Sequence, residues 1–326
     1  MPIGFVLLPD KICRPLASLD ELATLWARED VRLWVDLESP SDEELQRLGR
    51  IAGLDEEALD DCLRGEQQPR VDEFESHIFL VLYGLYGLKE HEDLDPHKLA
   101  AFCGSRFLIT VVRQPLLSIR QVRAHCGRHP ETLLMRGVDV VLFEIIDTIV
   151  DNYLRVADRY EDRLEVLEEK SFDVDVDDGE ALLEEAAEVR REVLELRRLA
   201  VAQRQLLLPI AKGNYDFVSE TLSQQFSQVC DHLSQVVDTV DSLRETVVSI
   251  RDNYHTALTR RTNEIMKVLT VFAAVMLPLT LIAGIYGMNL PLWPSSKQPF
   301  SFWIVLTVMT SIAGVMLYYF RRRKWL

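Results

Sequence analysis

Val268–Leu290 reads VLTVFAAVMLPLTLIAGIYGMNL and Phe300–Phe320 reads FSFWIVLTVMTSIAGVMLYYF, runs of 23 and 21 residues without a single charge. A bilayer core of ~30 Å takes about 20 apolar residues rising 1.5 Å each, so both runs are long enough to span. Buried helices of soluble proteins rarely extend this far uncharged. Arg321-Arg322-Arg323-Lys324 follows the second run, Arg260, Arg261 and Lys267 flank the first, and Pro291–Pro299 between them carries only Lys297. The positive-inside rule then places both flanks in the cytoplasm and the short connection outside.

Upstream of the first span the spacing is strict. Leu222, Phe226, Val229, Leu233, Val236, Val240, Leu243, Val247, Ile250, Tyr254 and Ala257 recur at alternating steps of four and three. That is an a/d heptad seam, the signature of helices packed along their length. No proline or glycine separates it from the span, so one helix is expected from about Ser219 to Tyr286. A two-span tail cannot enclose an aqueous path alone. Several copies in a ring are needed, and the seam is expected to assemble them. From Gly137 to Ala211 the pattern is again helical and heavily charged, broken at Ser171–Gly179, which reads as a helical hairpin with an acidic tip. Lys212-Gly-Asn214 marks a second break.

The N-terminal part alternates β-like runs with helical ones. Ile3–Leu8, Val31–Leu37, Val71–Phe74, His77–Leu88, Lys98–Cys103 and Arg106–Val112 read as strands. Ser18 with Glu21, and Ser41 with Glu44, have capping-box spacing for helix starts. The fold class is therefore α+β. A cytoplasmic α/β domain (1–135) precedes a helical hairpin and very long helix (136–258), and a two-span membrane domain (259–326) completes the chain.

The 326 residues carry 36 Lys+Arg against 52 Asp+Glu, a formal charge of −16, while the mean hydropathy of +0.01 averages over two very different regions. Residues 1–259 hold 28 basic and 51 acidic side chains, a net −23; the remaining 67 hold eight basic residues and one acid, Glu264. An acidic body of this kind repels phosphates, which argues against nucleic acid as a partner. The five cysteines are scattered without a C-x-x-C pair, as expected for reduced thiols in a cytosolic body. The first ten residues lack the basic start of a signal peptide.

Within the first span, Asn263, Met266, Leu269, Ala273, Leu277, Thr280, Gly284 and Gly287 form one uncharged face. Spacing alone favours helix packing through small residues there. The motifs around it weigh the other way. Gly287-Met288-Asn289 closes the span, Thr262-Asn263-Glu264-Ile-Met-Lys-Val-Leu-Thr270 enters it, and RRRKWL ends the chain. Together they resemble the CorA family of divalent-cation channels. The close resemblance covers about Asp238–Leu326, with looser echoes at Trp34-Val35-Asp36-Leu37 and Pro69-Arg70-Val71.

The resemblance implies a homopentamer in the inner cell membrane, both termini cytoplasmic, with the long helices around a pore and the second spans outside them. It implies passive, potential-driven uptake of hydrated Mg²⁺, with Co²⁺ or Ni²⁺ also passing, gated by cytoplasmic Mg²⁺. By matching position, Gly287, Met288 and Asn289 form the outer filter. Asn263 takes the inner mouth, Met266 and Leu269 an apolar constriction that closes by dewetting, and Leu277, Thr280 and Gly284 the wall between. Two departures stand out. Leu290–Pro299 has no acid where the family commonly carries some, and Gln228 occupies the position of the family's regulatory aspartate, so that ligand is not transferred.

Other constellations carry less. Asp173, Asp175, Asp177 and Asp178 precede Gly179 at the seventh rather than the sixth position of an EF-hand loop; they suit an acidic tip that loosely attracts divalent ions, a weak regulatory metal site. His125-Cys126-Gly-Arg-His129 offers soft ligands for Zn²⁺ without a second cluster. His91 and His97 read as surface residues. There is no P-loop and no nucleophile–base pair, so neither nucleotide use nor enzymatic activity is expected. The alternatives are a zinc transporter of the same superfamily, often called ZntB, and a coiled-coil membrane sensor that conducts nothing.

Overall fold

The computed structural model describes residues 3–64, 68–87, 94–172, 179–215, 218–288, 293, 300–323 and 325. They fall into two compact units, one of residues 1–169 with 181–250, the other of residues 170–180 with 251–326.

The first unit is built on a seven-stranded sheet. Its strands are β1 (Gly4–Leu7), β2 (Cys13–Leu16), β3 (Arg32–Glu38), β4 (Arg70–Glu73), β5 (His77–Leu85), β6 (Pro96–Gly104) and β7 (Phe107–Val112), in the order β2-β1-β3-β7-β6-β5-β4. Among the described residues only β3 and β7 pair in parallel, Leu33 opposite Phe107 through Glu38 opposite Val112. β2, which the hydropathy pattern does not reveal, is a four-residue edge strand. Pro15 is tolerated in it because an edge leaves one side of the backbone unpaired.

Three short helices cover one face of the sheet: α1 (Leu19–Trp26), α2 (Asp42–Ala52) and α3 (Glu56–Leu63). Ser18 and Ser41 cap the first two as their spacing implies, Ser41 and Glu44 closing a full capping box. Leu22, Leu45, Leu48 and Ala58 from these helices pack with Leu33, Val35, Phe79, Phe102 and Ile109 from the strands. The opposite face meets α4 (Leu117–Arg128) and the long helices α5 (Val138–Ser171) and α6 (Gly179–Ala211). There Asp36, 3% exposed, accepts from Arg123 of α4 and from Thr110, each at 2.9 Å. Burial still holds its carboxyl above the usual range, because desolvation outweighs both partners. The Tyr153 hydroxyl of α5 donates to the Tyr83 carbonyl at 2.8 Å, and Gln203 of α6 donates to that hydroxyl, fastening both helices to β5.

α7 runs unbroken from Glu220 to Tyr286, 67 residues or roughly 100 Å of helix. The seam residues from Leu222 to Ile250 are buried within this single chain. Phe226 meets Phe143 of α5 edge-on at 5.3 Å, and Arg197 and Arg204 of α6 reach Asp241 at 2.8 Å and Ser234 at 3.1 Å. This corrects one expectation. The seam does not join copies of the chain, because the hairpin of α5 and α6 already occupies it; any ring must form through other faces. The second unit adds α8 (Ser301–Arg322) and the rest of α7, each long and apolar enough to cross a membrane.

Candidate ion pathway and metal-binding cluster

Along α7 in the second unit, burial separates two sides. Val271 is buried and Ala274, Val275, Pro278, Leu279 and Ile282 are half-buried, on one helical face. On α8 the covered positions are Ser301, Val305, Met309, Ile312, Ala313, Met316 and Phe320, again one face. These are the marks of two helices that shield each other. At 100° per residue, the face carrying Met266, Leu269, Ala273, Leu277, Thr280, Gly284 and Gly287 lies on the opposite side of α7, and every one of those residues is exposed. Met266 and Leu269 are 55% and 60% exposed, Leu277 70%. Asn263 is exposed one turn earlier.

Thr280 donates its hydroxyl proton back to the Met276 carbonyl at 2.8 Å, so that donor is satisfied within the helix. A side chain placed on Gly284 would touch nothing of its own chain within 4 Å, so glycine there is not required by intrachain packing. The helix tightens as it ends. Gly287 N–H donates to the Ala283 carbonyl at 2.9 Å, but Met288 N–H reaches only three residues back, to Ile285 at 3.2 Å. Tyr286 donates from its hydroxyl to the Trp293 carbonyl at 3.0 Å. Asn289 lies outside the described residues, as do Asp173, Asp175, Asp177, Asp178 and His91.

The soft-ligand motif does not assemble a site among the described residues. His125 faces Glu144 at 3.3 Å through Nδ1 and Thr132 at 3.2 Å through Nε2; His129 faces Glu131 at 3.2 Å. Cys126 is fully buried, its thiol directed to Cys13. His97 pairs with Asp95 at 3.0 Å.

A different cluster forms in the first unit. Asp147 and Asp151 of α5 and His232 of α7 bring one ligand atom each within 4.8 Å of one another. Asp147 is half-buried, and its carboxyl is held above the usual range by burial and by the negative charges of Asp151 and Glu144, with His232 opposing. A cation there would neutralise two carboxylates, with the remaining positions left to water, which suits Mg²⁺. The imidazole also admits Co²⁺ or Zn²⁺. Sequence reading missed this set. Asp147 and Asp151 sit at i,i+4 spacing on a helix and His232 follows Gln228 by the same step; nothing local shows that the two turns meet across 81 residues.

A two-span membrane protein with a continuous helix running from an α/β body to the end of its first span belongs to a narrow class. The CorA-like Mg²⁺ transporter protein family model matches residues 29–322, and the chain belongs to that family. It is 29% identical to the cobalt/magnesium transport protein CorA of Thermotoga maritima over 282 residues, 86% of this chain and 80% of the relative. The solved structure of the CorA magnesium transporter from Methanocaldococcus jannaschii superposes with a TM-score of 0.84 at 24% identity, covering 100% and 99% of the two chains, a likeness of fold. The zinc transport protein ZntB of Pectobacterium carotovorum is 23% identical over 174 residues, about half of either chain (52% and 53%).

Proposed function

We propose that this chain is the subunit of a passive Mg²⁺ channel that also admits Co²⁺ or Ni²⁺. Five copies surround a pore lined by the uncharged face of α7, in the inner cell membrane with both termini cytoplasmic. The observation that carries this reading is the position of that face. It lies opposite the side that α7 covers with α8, is exposed throughout, and contains a glycine its own chain does not need. The chain divides by task into 1–135, 136–258 and 259–326.

Gly287, Met288 and Asn289 form the outer filter, where neutral oxygens meet an ion that sheds water reluctantly. Leu277, Thr280 and Gly284 line the wall. Met266 and Leu269 form the constriction, which dewets when closed, and Asn263 the inner mouth. A divalent ion entering an inside-negative cell gains ~2.3 kcal/mol per charge per 100 mV, so about 4.6 in all, and no nucleotide is needed. Cytoplasmic Mg²⁺ at Asp147, Asp151 and His232 holds the channel closed, a stronger candidate for regulation than Asp173, Asp175, Asp177 and Asp178.

Ion flux into proteoliposomes tests this directly, with Mg²⁺, Co²⁺, Ni²⁺ and Zn²⁺ compared at an imposed potential. The reading expects Mg²⁺ entry that stops when the potential is collapsed at equal concentrations. The acid-free connection with Lys297 favours a second reading, zinc transport, which the same assay identifies by Zn²⁺ entry exceeding Mg²⁺.

A further inference from the structure

Cys13 of β2 and Cys126 of α4 are distant in sequence and meet in the fold. Cys13 stands opposite Leu7, and Pro15 opposite Phe5. Side chains two apart on a strand share a face, so Cys13 lies on the face that carries Phe5. That face meets α4: the Phe5 ring lies 3.6 Å from where a side chain on Gly127 would begin. Cys126 precedes that glycine, is fully buried, and donates its thiol proton to the Cys13 sulfur. Cys13 itself is half-buried, next to the exposed turn of Asp10, Lys11 and Ile12. A small solute therefore reaches one sulfur and not the other. The accepted hydrogen bond holds the Cys13 thiol below its usual range, while the same contact and burial hold Cys126 above. The remaining thiols are placed differently. Cys62 and Cys103 turn to backbone carbonyls and burial pushes both up to about 12; burial raises Cys230 as well.

We infer that Cys13 and Cys126 form a reversible oxidation site, in which a peroxide converts the two thiols into a disulfide that fastens the β1–β2 hairpin to α4. The Cys13 thiolate attacks one oxygen of hydrogen peroxide. A sulfur–oxygen bond forms, the oxygen–oxygen bond breaks, hydroxide leaves, and Cys13 is oxidised by two electrons to a sulfenic acid. The Cys126 sulfur then attacks the Cys13 sulfur. The disulfide forms as the sulfur–oxygen bond breaks, and the departing hydroxide takes the Cys126 thiol proton and leaves as water. A dithiol reductant returns both thiols by exchange. An accessible sulfur of depressed pKa beside a buried resolving sulfur is the arrangement such chemistry requires. The inference concerns the first unit alone and does not depend on which ion passes.

The test treats the full-length protein in mild detergent with hydrogen peroxide, alkylates the remaining thiols and reads the unreduced peptides by mass spectrometry. Two of the five thiols should disappear, a peptide pair joined through Cys13 and Cys126 should appear, and dithiothreitol should restore both. The cross-link closes a long loop of chain, so the oxidised protein should unfold on the order of 10 °C higher. In Cys126→Ser the sulfenic acid should persist on Cys13 and be captured by dimedone. In Cys13→Ser, whose substitution is half-exposed and should leave the reduced midpoint unchanged, Cys126 should stay a thiol. Cys230→Ser should cross-link as the parent does. Retention of both thiols in the parent overturns the inference, as does dimedone capture of Cys13 in the parent equal to that in Cys126→Ser. A link between subunits, seen as a dimer on a non-reducing gel, overturns it too. So does a Cys13–Cys126 link that lowers the midpoint, because the fold would then hold the sulfurs apart.

Discussion

Replacing Asp147 and Asp151 with asparagine removes two like charges that the fold holds within 4.8 Å. At that distance their repulsion is ~0.9 kcal/mol in a water-like medium and ~3.5 at an effective dielectric of 20. Asp151 is exposed and Asp147 only half-buried, so screening puts the value near the lower limit, about 1–2 kcal/mol. Without divalent ions, Asp147→Asn/Asp151→Asn should therefore unfold at a higher temperature than the parent. With Mg²⁺ the order reverses, because a ligand at 100 times its Kd stabilises the parent by ~2.7 kcal/mol and the variant has lost its ligands. The pH dependence follows from the raised Asp147 pKa. A carboxyl raised in the folded state stabilises it below its unfolded pKa and loses that contribution as pH rises through the folded value. Protons and Mg²⁺ compete for the same oxygens, so the Mg²⁺-induced shift should shrink as pH falls through that raised value. Differential scanning fluorimetry of the detergent-purified protein, with and without Mg²⁺ and titrated upward from about pH 4, the ordinary aspartate value, reads all three effects. A Mg²⁺ shift of equal size in parent and variant at every pH would refute the site.

Four further outcomes are expected. Leu269→Asp should keep water in the constriction and raise the closed-state leak of liposomes; an unchanged leak places the gate elsewhere. Asn289→Gly removes the amide oxygen proposed to accept from the ion's waters, at ~0.5–1.5 kcal/mol per hydrogen bond in each subunit. Flux should be lost from an intact oligomer, and wild-type conduction with wild-type ion preference would sink the filter assignment. Leu233, fully buried by its own chain, should lower the unfolding midpoint when truncated to alanine by the equivalent of about 2–5 kcal/mol, with the subunit count unchanged by cross-linking; loss of the oligomer alone would return the seam to the subunit interface. A Ser295→Cys probe should label from outside intact cells, and protection there with labelling of the C-terminus contradicts the topology.

Elements defined by a long period were legible in the sequence. α7 begins one residue from the expected Ser219 and ends at Tyr286, because eleven heptad positions and an uncharged run leave no alternative conformation for that stretch. The end of α5 at Ser171, the start of α6 at Gly179 and the caps at Ser18 and Ser41 were legible from local signals too. β2 was not, since four residues containing a proline carry no alternation to detect. Nor was the partner of the seam. A heptad repeat declares that a face is buried without saying by what, and here α5 and α6 come from the same chain. Asp147, Asp151 and His232 escaped for a related reason, being two unremarkable helical turns until tertiary packing joins them.

In the proposed channel one face of α7 meets water and ions while the opposite face meets α8. Single cysteines at Ala273, Thr280 and Gly284, compared with cysteines at Ala274, Val275 and Ile282, distinguish the two faces when a water-soluble thiol reagent is added during Mg²⁺ flux. Rapid block is expected at the first three positions and none at the second three. Equal protection of both sets, or block confined to 274, 275 and 282, would show that the ions take another path.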